Sequence, residues 1–296
     1  MKRLIGVAIG FGLFAAACAG EGAVSVGPID SPSASPSTPP AGTPAPTPSA
    51  TSTAPPSGST VTYEVWFTYG EHLFVTKRTQ PATVAVGSAS LNALLAGPSG
   101  PERSAGVGTT VPSGTKLLGL NIENGIATVD LSSNYDDGGG SLSERMRLAQ
   151  VVYTMTQFPT VQGVNFRMDG RAVETFSGEG IVVDEPQTRA DYDDLLPPIL
   201  VETPIVGQRV TSPVTVSGTA NVFEATVSIR ILDEDGKKIA ESFDTATCGT
   251  GCRGEYSDTV PYQVDSDQQG TVMVFESSAK DGKPTNVVRI PVTLTA

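Results

Sequence analysis

Residues 118–131, LGLNIENGIATVDL, decide the fold of the first half of this chain. Asn124-Gly125 suits the two positive φ angles of a type I′ turn, and apolar residues alternate with polar ones on both sides of it. A turn at that pair sets three apolar pairs opposite one another: Ile122 with Ala127, Leu120 with Val129, and Leu118 with Leu131. Because one register puts all six side chains on the same face, the segment is predicted to be a half-buried antiparallel hairpin.

Two predicted strands and a helix precede the hairpin. The runs 63–69 and 73–76 are rich in aromatic and β-branched residues, which are typical of strands. Between Ser88 and Pro98, leucines three and four residues apart predict a short helix, which Gly97-Pro98 would end. The first unit therefore begins with strands and continues into a helix.

A second helix and a closing strand follow the hairpin. Residues 141–144, SLSE, read as a capping box with Ser141 as the N-cap, and apolar residues continue at helical spacing until Phe158-Pro159. The run 164–168 then predicts a strand. The predicted order is strand, helix, hairpin, helix, strand, which is that of a mixed α and β domain.

Four blocks of this unit resemble the GerMN domain of sporulation and germination proteins. They are LNALLAGP at 91–98, NGIATVDL at 124–131, TMTQFP at 154–159 and VNFRMDG at 164–170. The resemblance implies an α/β (α+β) fold similar to ring-building motifs, with helices on one face of a small sheet. It implies no catalytic residues.

The second unit, residues 199–296, is predicted to be an all-β sandwich. Seven short β-branched runs recur with turn signals between them, at 199–202, 214–218, 226–233, 238–243, 256–262, 271–277 and 287–294. A turn at Asp235-Gly236 would pair Glu234 with Lys237, Asp233 with Lys238, and Arg230 with Glu241. The blocks VSGTA at 216–220, FEA at 223–225, VFESS at 274–278 and IPV at 290–292 resemble the immunoglobulin-like second Gmad domain, which accompanies GerMN.

The N-terminal residues predict export and a lipid anchor. Residues 1–17 have a positive start and an apolar run too short to cross a bilayer, so they are predicted to be a signal peptide. Ala15-Ala16-Ala17-Cys18 resembles a lipobox, which implies lipidation of Cys18; the alternative is an ordinary signal peptide with a chance Cys at its end. Residues 18–59 are predicted to be a disordered tether rich in Pro, Ser and Thr. The domains are then predicted at 60–183 and 199–296, joined by an acidic linker at 184–198.

Composition excludes several function classes. The 296 residues include 31 acidic and 19 basic side chains, a net charge of -12, which argues against nucleic acid as a partner. One His and three Cys leave too few ligands for a typical zinc or haem site, so no metal or cofactor is expected. Cys248 and Cys252 enclose three residues and are predicted to form a disulfide outside the cytoplasm. His72 is expected to face solvent, and the acidic groups at 136–137, 191–194, 233–235 and 265–267 are expected to lie in solvated turns.

Two functional hypotheses of different classes remain. The favoured one is a membrane-anchored, non-catalytic binding or scaffold lipoprotein of the cell envelope, whose partner is an envelope protein or wall glycan. The alternative is an extracytoplasmic cell-wall hydrolase using paired carboxylates, which would need two acidic side chains roughly 5 to 9.5 Å apart in a cleft.

Overall fold

The computed structural model describes residues 58–176 and 180–296, and these belong to one compact unit. The predicted signal peptide, Cys18 and all but the last two residues of the predicted tether lie outside the described residues. None of the helices in the described part of the chain is long and apolar enough to span a bilayer.

The first domain mixes helices and short sheets, as the sequence pattern predicts. The β-branched and aromatic runs form its strands, and the leucine-spaced and capped segments form its helices. In chain order the elements are β1 Thr60–Tyr69, β2 His72–Pro81, α1 Val86–Ala96, α2 Gly100–Ser104, β3 Val107–Gly108, β4 Leu117–Glu123, β5 Ile126–Leu131, α3 Ser141–Met155, β6 Gly163–Met168, β7 Arg171–Ala172, β8 Thr175–Phe176 and β9 Ile181–Val182.

The strands of this domain form two larger sheets where the family resemblance implied one. The orders are β2-β1-β3 and β4-β5-β6-β7, and β8 pairs with β9 in a separate ribbon. Helix α3 connects β5 to β6, which run parallel, and α1 and α3 contact both larger sheets. The core therefore lies where the helices meet the sheets, around Trp66, Leu91 and Leu148, which are all at most 2% exposed.

The central hairpin forms as predicted near its turn and differs at its far end. Ile122 pairs with Ala127 and Leu120 with Val129, while Asn124 and Gly125 both have positive φ. The predicted pairing of Leu118 with Leu131 is wrong: Leu117 pairs with Leu131, because a bulge shifts the register between Leu117 and Gly119. Leu118 is consequently 51% exposed and does not join the core.

The start of α3 also differs from the prediction. The helix begins at Ser141 with Gly140 as its N-cap, so the predicted Ser141 cap is displaced by one residue. The Glu144 N–H donates to the Gly140 carbonyl at 3.0 Å, as expected in the first helical turn.

The second domain is a sandwich of two sheets, as predicted. Its strands are β10 Ile199–Thr203, β11 Arg209–Val210, β12 Val214–Ala220, β13 Thr226–Leu232, β14 Lys238–Thr245, β15 Gly254–Val260, β16 Gln268–Ser277 and β17 Pro284–Leu294. The sheets have the orders β10-β12-β15 and β11-β17-β16-β13-β14. The predicted strands are present within the described residues, and the short β11, which pairs in parallel with β17, adds to them.

The second hairpin confirms one of its three predicted charge pairs. Arg230 lies opposite Glu241, but a register shift between Ile231 and Leu232 places Lys238 opposite Leu232 rather than Asp233. Asp233 instead forms the turn, because its carboxylate accepts the Asp235 and Lys237 N–H groups at 3.1 and 2.8 Å.

The segment between the domains is folded and packs against the first domain. It contains a 3₁₀ helix at Arg189–Leu195, begun by a capping box of Thr188 and Asp191, and Tyr192 and Leu195 are buried. Arg145 of α3 binds Asp194 with two hydrogen bonds of 2.8 Å. The domain boundaries themselves stay predictions.

Candidate functional sites

An apolar groove lies where the two domains meet. The tip of the β1–β2 hairpin forms one wall, because Gly70 at φ 59° allows the tight turn between Tyr69 and His72. The segment before β10 and the start of β17 form the other walls. The groove has a volume of about 180 Å³ and is lined by Tyr69, His72, Leu73, Phe74, Pro197, Pro198, Ile199, Leu200, Val201, Asn286, Val287 and Val288.

A cluster of cations and aromatic rings joins the connecting segment to both domains. The guanidinium of Arg189 lies over Tyr153 and Trp66, at 4.6 and 5.3 Å from the ring centroids, and its Nε donates to Thr156 Oγ1 at 2.9 Å. The Tyr153 hydroxyl donates to Asp193 Oδ1 at 3.0 Å. From the second domain, Arg253 donates to the Pro197 carbonyl at 2.6 Å. This Arg189 cluster therefore stabilises one arrangement of the two domains.

An acidic cleft opens on the three-stranded sheet of the second domain. Glu202, Asp244 and Glu255 line it together with hydroxyl and backbone groups of Ser217, Gly218, Thr219, Thr245, Thr247, Tyr256 and Ser257. Burial raises the pKa of Glu202, and the negative charge of Glu64 raises it further, against the opposing effect of Lys77. Asp244 is engaged structurally, because its Oδ2 accepts the Ser257 N–H at 2.7 Å.

A buried ion pair fixes α2 on the first sheet. Glu102 is 2% exposed and accepts two hydrogen bonds from Arg78, at 2.6 and 2.7 Å. It also accepts one from Thr76 Oγ1 at 2.7 Å and one from the Ser99 N–H at 2.6 Å. Burial alone would raise the pKa of Glu102, but these hydrogen bonds outweigh it and lower the pKa to about 2.

The two cysteines of the second domain form a disulfide at a loop tip. Cys248 and Cys252 have Cα atoms 5.8 Å apart, and both are partly exposed. The enclosed loop is held against the domain, since the Thr250 N–H donates to the Val222 carbonyl at 3.0 Å. His72 is exposed, as expected, and lies at the rim of the apolar groove. Cys18, the predicted lipidation site, lies outside the described residues.

The acidic groups noted in the sequence mostly cap turns or form ion pairs. Asp191 binds the Thr188 N–H at 2.7 Å, Asp194 binds Arg145, and Asp267 forms an ion pair with Arg209. Within residues 58–176 and 180–296, no group of three or more His, Cys, Asp or Glu side chains is placed so as to hold a metal ion. Asp130 accepts the Gly170 N–H at 3.0 Å and so stabilises the turn after β6.

Fold and sites together define a two-domain protein in which an α+β domain is joined to an immunoglobulin-like sandwich. Residues 56–174 match the family model Germane, described as sporulation and spore germination. Residues 198–283 match Gmad2, described as an immunoglobulin-like domain of bacterial spore germination. The chain thus carries a GerMN-like domain followed by a Gmad2 domain, which confirms the resemblance predicted from the sequence. Neither family description names an enzymatic activity.

Solved structures are similar to parts of the chain at low identity. The first GerMN domain of the sporulation protein GerM from Bacillus subtilis is 19% identical, with 44% of this chain and 99% of that chain covered and a TM-score of 0.37. The tandem GerMN domains of the same protein are 15% identical, with 68% of this chain and 61% of that chain covered and a TM-score of 0.39. A candidate lipoprotein from Clostridium perfringens is 21% identical, with 46% of this chain and 93% of that chain covered and a TM-score of 0.34. No curated protein gives a significant match.

The sequence did not reveal the apolar groove, the Arg189 cluster or the Glu102 network. Each brings together residues that are far apart along the chain, so no local spacing marks them. The sequence held one indication of the Glu102 network, because residues 99–102, SGPE, have the capping-box pattern that places Glu102 at a helix start. That pattern does not identify Arg78 as the partner of Glu102.

Proposed function

We propose that this chain is a membrane-anchored extracytoplasmic lipoprotein that acts as a non-catalytic binding or scaffold module of the cell envelope, in sporulation or germination. In this proposal Cys18 is the lipidated residue, residues 18–59 are the tether, and 60–183 and 199–296 are the GerMN-like and immunoglobulin-like domains. Its partner is an envelope protein or wall glycan.

The observation that carries the proposal is the apolar groove between the domains. Ligand sites occur preferentially at domain interfaces, in concave surfaces that are mostly apolar with a few polar groups at the edge. Here the half-buried Pro198, Val287 and Val288 supply apolar surface, and the exposed His72 and Asn286 also line the groove. Arg189 holds the connecting segment on the first domain, and Arg253 of the second domain binds the same segment at Pro197, which lines the groove, so a ligand would meet a preformed surface.

A photocrosslinking experiment tests binding at this groove. A photoreactive phenylalanine derivative placed at Tyr69, which is 44% exposed at the rim, should give a reproducible covalent adduct in the native envelope. The matched control carries the same group at Val182, which is 63% exposed outside the groove and should give no such adduct. Absence of any reproducible adduct at Tyr69, or the same adducts at both positions, would count against a binding role for the groove.

The anchor is tested separately at Cys18. Cys18→Ala should move the protein from the membrane fraction to the soluble extracytoplasmic fraction and abolish incorporation of a labelled fatty acid. Cys248→Ala is the matched control and should leave both measurements unchanged. Full membrane retention of the Cys18 variant would contradict the lipoprotein assignment.

The acidic cleft supports a second candidate function, a cell-wall hydrolase. Burial raises the pKa of Glu202, and a carboxyl group with a raised pKa can serve as a general acid. Glu202 lies in a polar cleft that Glu255 also lines, so a second carboxylate is present. Purified protein should then release dye from labelled peptidoglycan, and Glu202→Gln should abolish the release while Glu123→Gln, at an exposed site, should not. No release by the native protein would leave the binding role as the function.

A further inference from the structure

An aromatic ring stands exposed on the outer face of the five-stranded sheet. Phe243 of β14 is 68% exposed, although most of the outward side chains around it are polar. Strand pairing places it opposite Ser228, and Ser228 lies opposite Phe275 of β16. The residues that line a depression at this place include Thr226, Ser228, Glu241, Phe243, Phe275 and Ser277, and we call these six the Phe243 face.

Hydroxyl groups flank the exposed ring on one side. Ser228 and Ser277 lie with their Oγ atoms 3.3 Å apart, and Thr226 lines the same depression. Hydroxyl groups both donate and accept hydrogen bonds and rotate to suit a partner. The ring therefore has a row of adaptable polar groups next to it.

The charged groups beside the ring are already paired. Glu241 accepts the Arg230 Nε–H at 2.6 Å and the Lys238 Nζ–H at 2.5 Å. The Arg230 guanidinium also covers the Phe275 ring, 4.5 Å from its centroid, so Phe275 is buried and Phe243 alone presents a free ring. Glu241 thus pairs with both cations, so one carboxylate faces two positive charges beside the ring.

We infer that the Phe243 face binds a neutral pyranose polysaccharide, with a sugar ring stacked on the phenyl ring of Phe243. A pyranose has a flat face of C–H groups, which the negative face of an aromatic ring attracts, and a rim of hydroxyls that matches the Ser and Thr row. An anionic polymer is opposed by the chain's net charge of -12, and the stacking surface of Phe243 itself carries no charge. A helical peptide would need a broader apolar surface than one exposed ring provides.

This inference rests on the proposed binding function, because it identifies the chemistry of one ligand of that module. It concerns a face distinct from the apolar groove, so the two can fail independently. If crosslinking at Tyr69 captures a partner while no sugar binds, the proposed function stands and this inference falls. If sugar binds at Phe243 and no adduct forms at Tyr69, the inference stands and the groove loses its role.

Calorimetric titration of the full-length protein in mild detergent provides the test, with chitohexaose and cellohexaose as the neutral probes. The native protein should bind at least one of them, and Phe243→Ala should weaken binding at least about tenfold, as expected when a central aromatic contact is lost. Phe243→Trp should retain binding, since it keeps the stacking surface. Val84→Ala, at a position 70% exposed in the other domain, should have no effect.

Several results would overturn the inference. These are no binding of either oligosaccharide by the native protein, equal binding by the Phe243→Ala variant, or preferential binding of a glycerol phosphate polymer. Circular dichroism and the midpoint of thermal unfolding establish that each variant is folded, so a loss of binding cannot be attributed to unfolding.

Discussion

Glu102 is a buried carboxylate whose four hydrogen bonds come from Thr76, Arg78 and Ser99. Removing one partner of such a pair leaves the other charge without compensation in a partly desolvated site, which costs more than the pair itself contributes. The pKa of about 2 agrees with this, because the folded structure stabilises the ionised form of Glu102 over the protonated form.

Glu102→Gln should lower the free energy of unfolding at neutral pH by about 3 kcal/mol, because Arg78 and the Ser99 N–H lose their ionised partner. Since the folded pKa is depressed, the native protein should lose this advantage as the pH falls from about 5 towards 2, and the two proteins should converge. Urea unfolding at neutral and acid pH measures the difference. Glu123→Gln, an exposed control, should stay within about 0.5 kcal/mol of native.

Glu202 presents the opposite case, because its pKa is raised by burial and by Glu64. Its ionisation therefore opposes folding, and stability should fall as the pH rises from the ordinary Glu pKa through the higher folded value. Glu202→Gln should raise the midpoint of thermal unfolding at neutral pH, and the gain should vanish in acid, where the native side chain is protonated in both states. A variant less stable than native at neutral pH would show that the carboxylate makes favourable contacts.

At the scale of elements, β10 and β12 approach so closely that only a glycine fits between them. A Cβ on Gly218 would lie 2.0 Å from the Leu200 carbonyl oxygen and 3.1 Å from the Tyr256 hydroxyl. That hydroxyl donates to the same carbonyl at 3.1 Å, so the clash would also disturb a buried hydrogen bond. The contact lies beside the register shift between Val201 and Thr203 in β10.

Gly218→Ala should therefore destabilise the protein by about 3 kcal/mol or more, as backbone shifts are needed to relieve the overlap. Gly119→Ala is the matched control in another strand, because a Cβ there would meet Asp130 at an ordinary 3.6 Å. Its effect should stay below about 1 kcal/mol. Equal losses for the two variants would show that the β10–β12 contact relaxes easily.

At the scale of the whole molecule, the Arg189 cluster connects the folding of the two domains. Arg189 lies over Trp66 and Tyr153 of the first domain, while Arg253 of the second domain binds the Pro197 carbonyl in the same connecting segment. Separate domains often unfold in separate steps, but a segment that packs on one domain and binds the other should make them unfold together.

Arg189→Ala should separate their unfolding, because it removes a partly buried cation–π contact worth about 2 kcal/mol and the hydrogen bond to Thr156. Trp66 is the only tryptophan of the chain, so its fluorescence reports on the first domain. In the native protein, the unfolding midpoint followed by Trp66 fluorescence should equal the midpoint followed by far-ultraviolet circular dichroism. In the variant, the fluorescence midpoint should shift to a lower denaturant concentration. Arg171→Ala, at an exposed site, should leave both midpoints together.

Much of the local structure was predictable because its causes lie within a few residues. The turn at Asn124-Gly125, the leucine spacing of α1 and the alternation in 226–233 depend on backbone preference and on which face is buried. Apart from the N-cap of α3, which is Gly140 rather than Ser141, the errors arose where a strand departs from regular pairing. The bulge near Leu118 and the shift near Leu232 change which residues face each other, and a two-residue turn rule does not anticipate them.

Composition and short-range spacing were enough to establish the order of the main helices and strands, the two family resemblances, the acidic charge and the short cysteine loop. Three features became apparent only in the folded molecule: Arg78 compensates Glu102, Arg189 lies against Trp66, and the hairpin tip and β17 line a groove. Such contacts join residues distant along the chain, and their partners are selected by the packing of whole sheets and helices. Local pattern therefore specifies the elements, whereas the sites depend on how those elements are brought together.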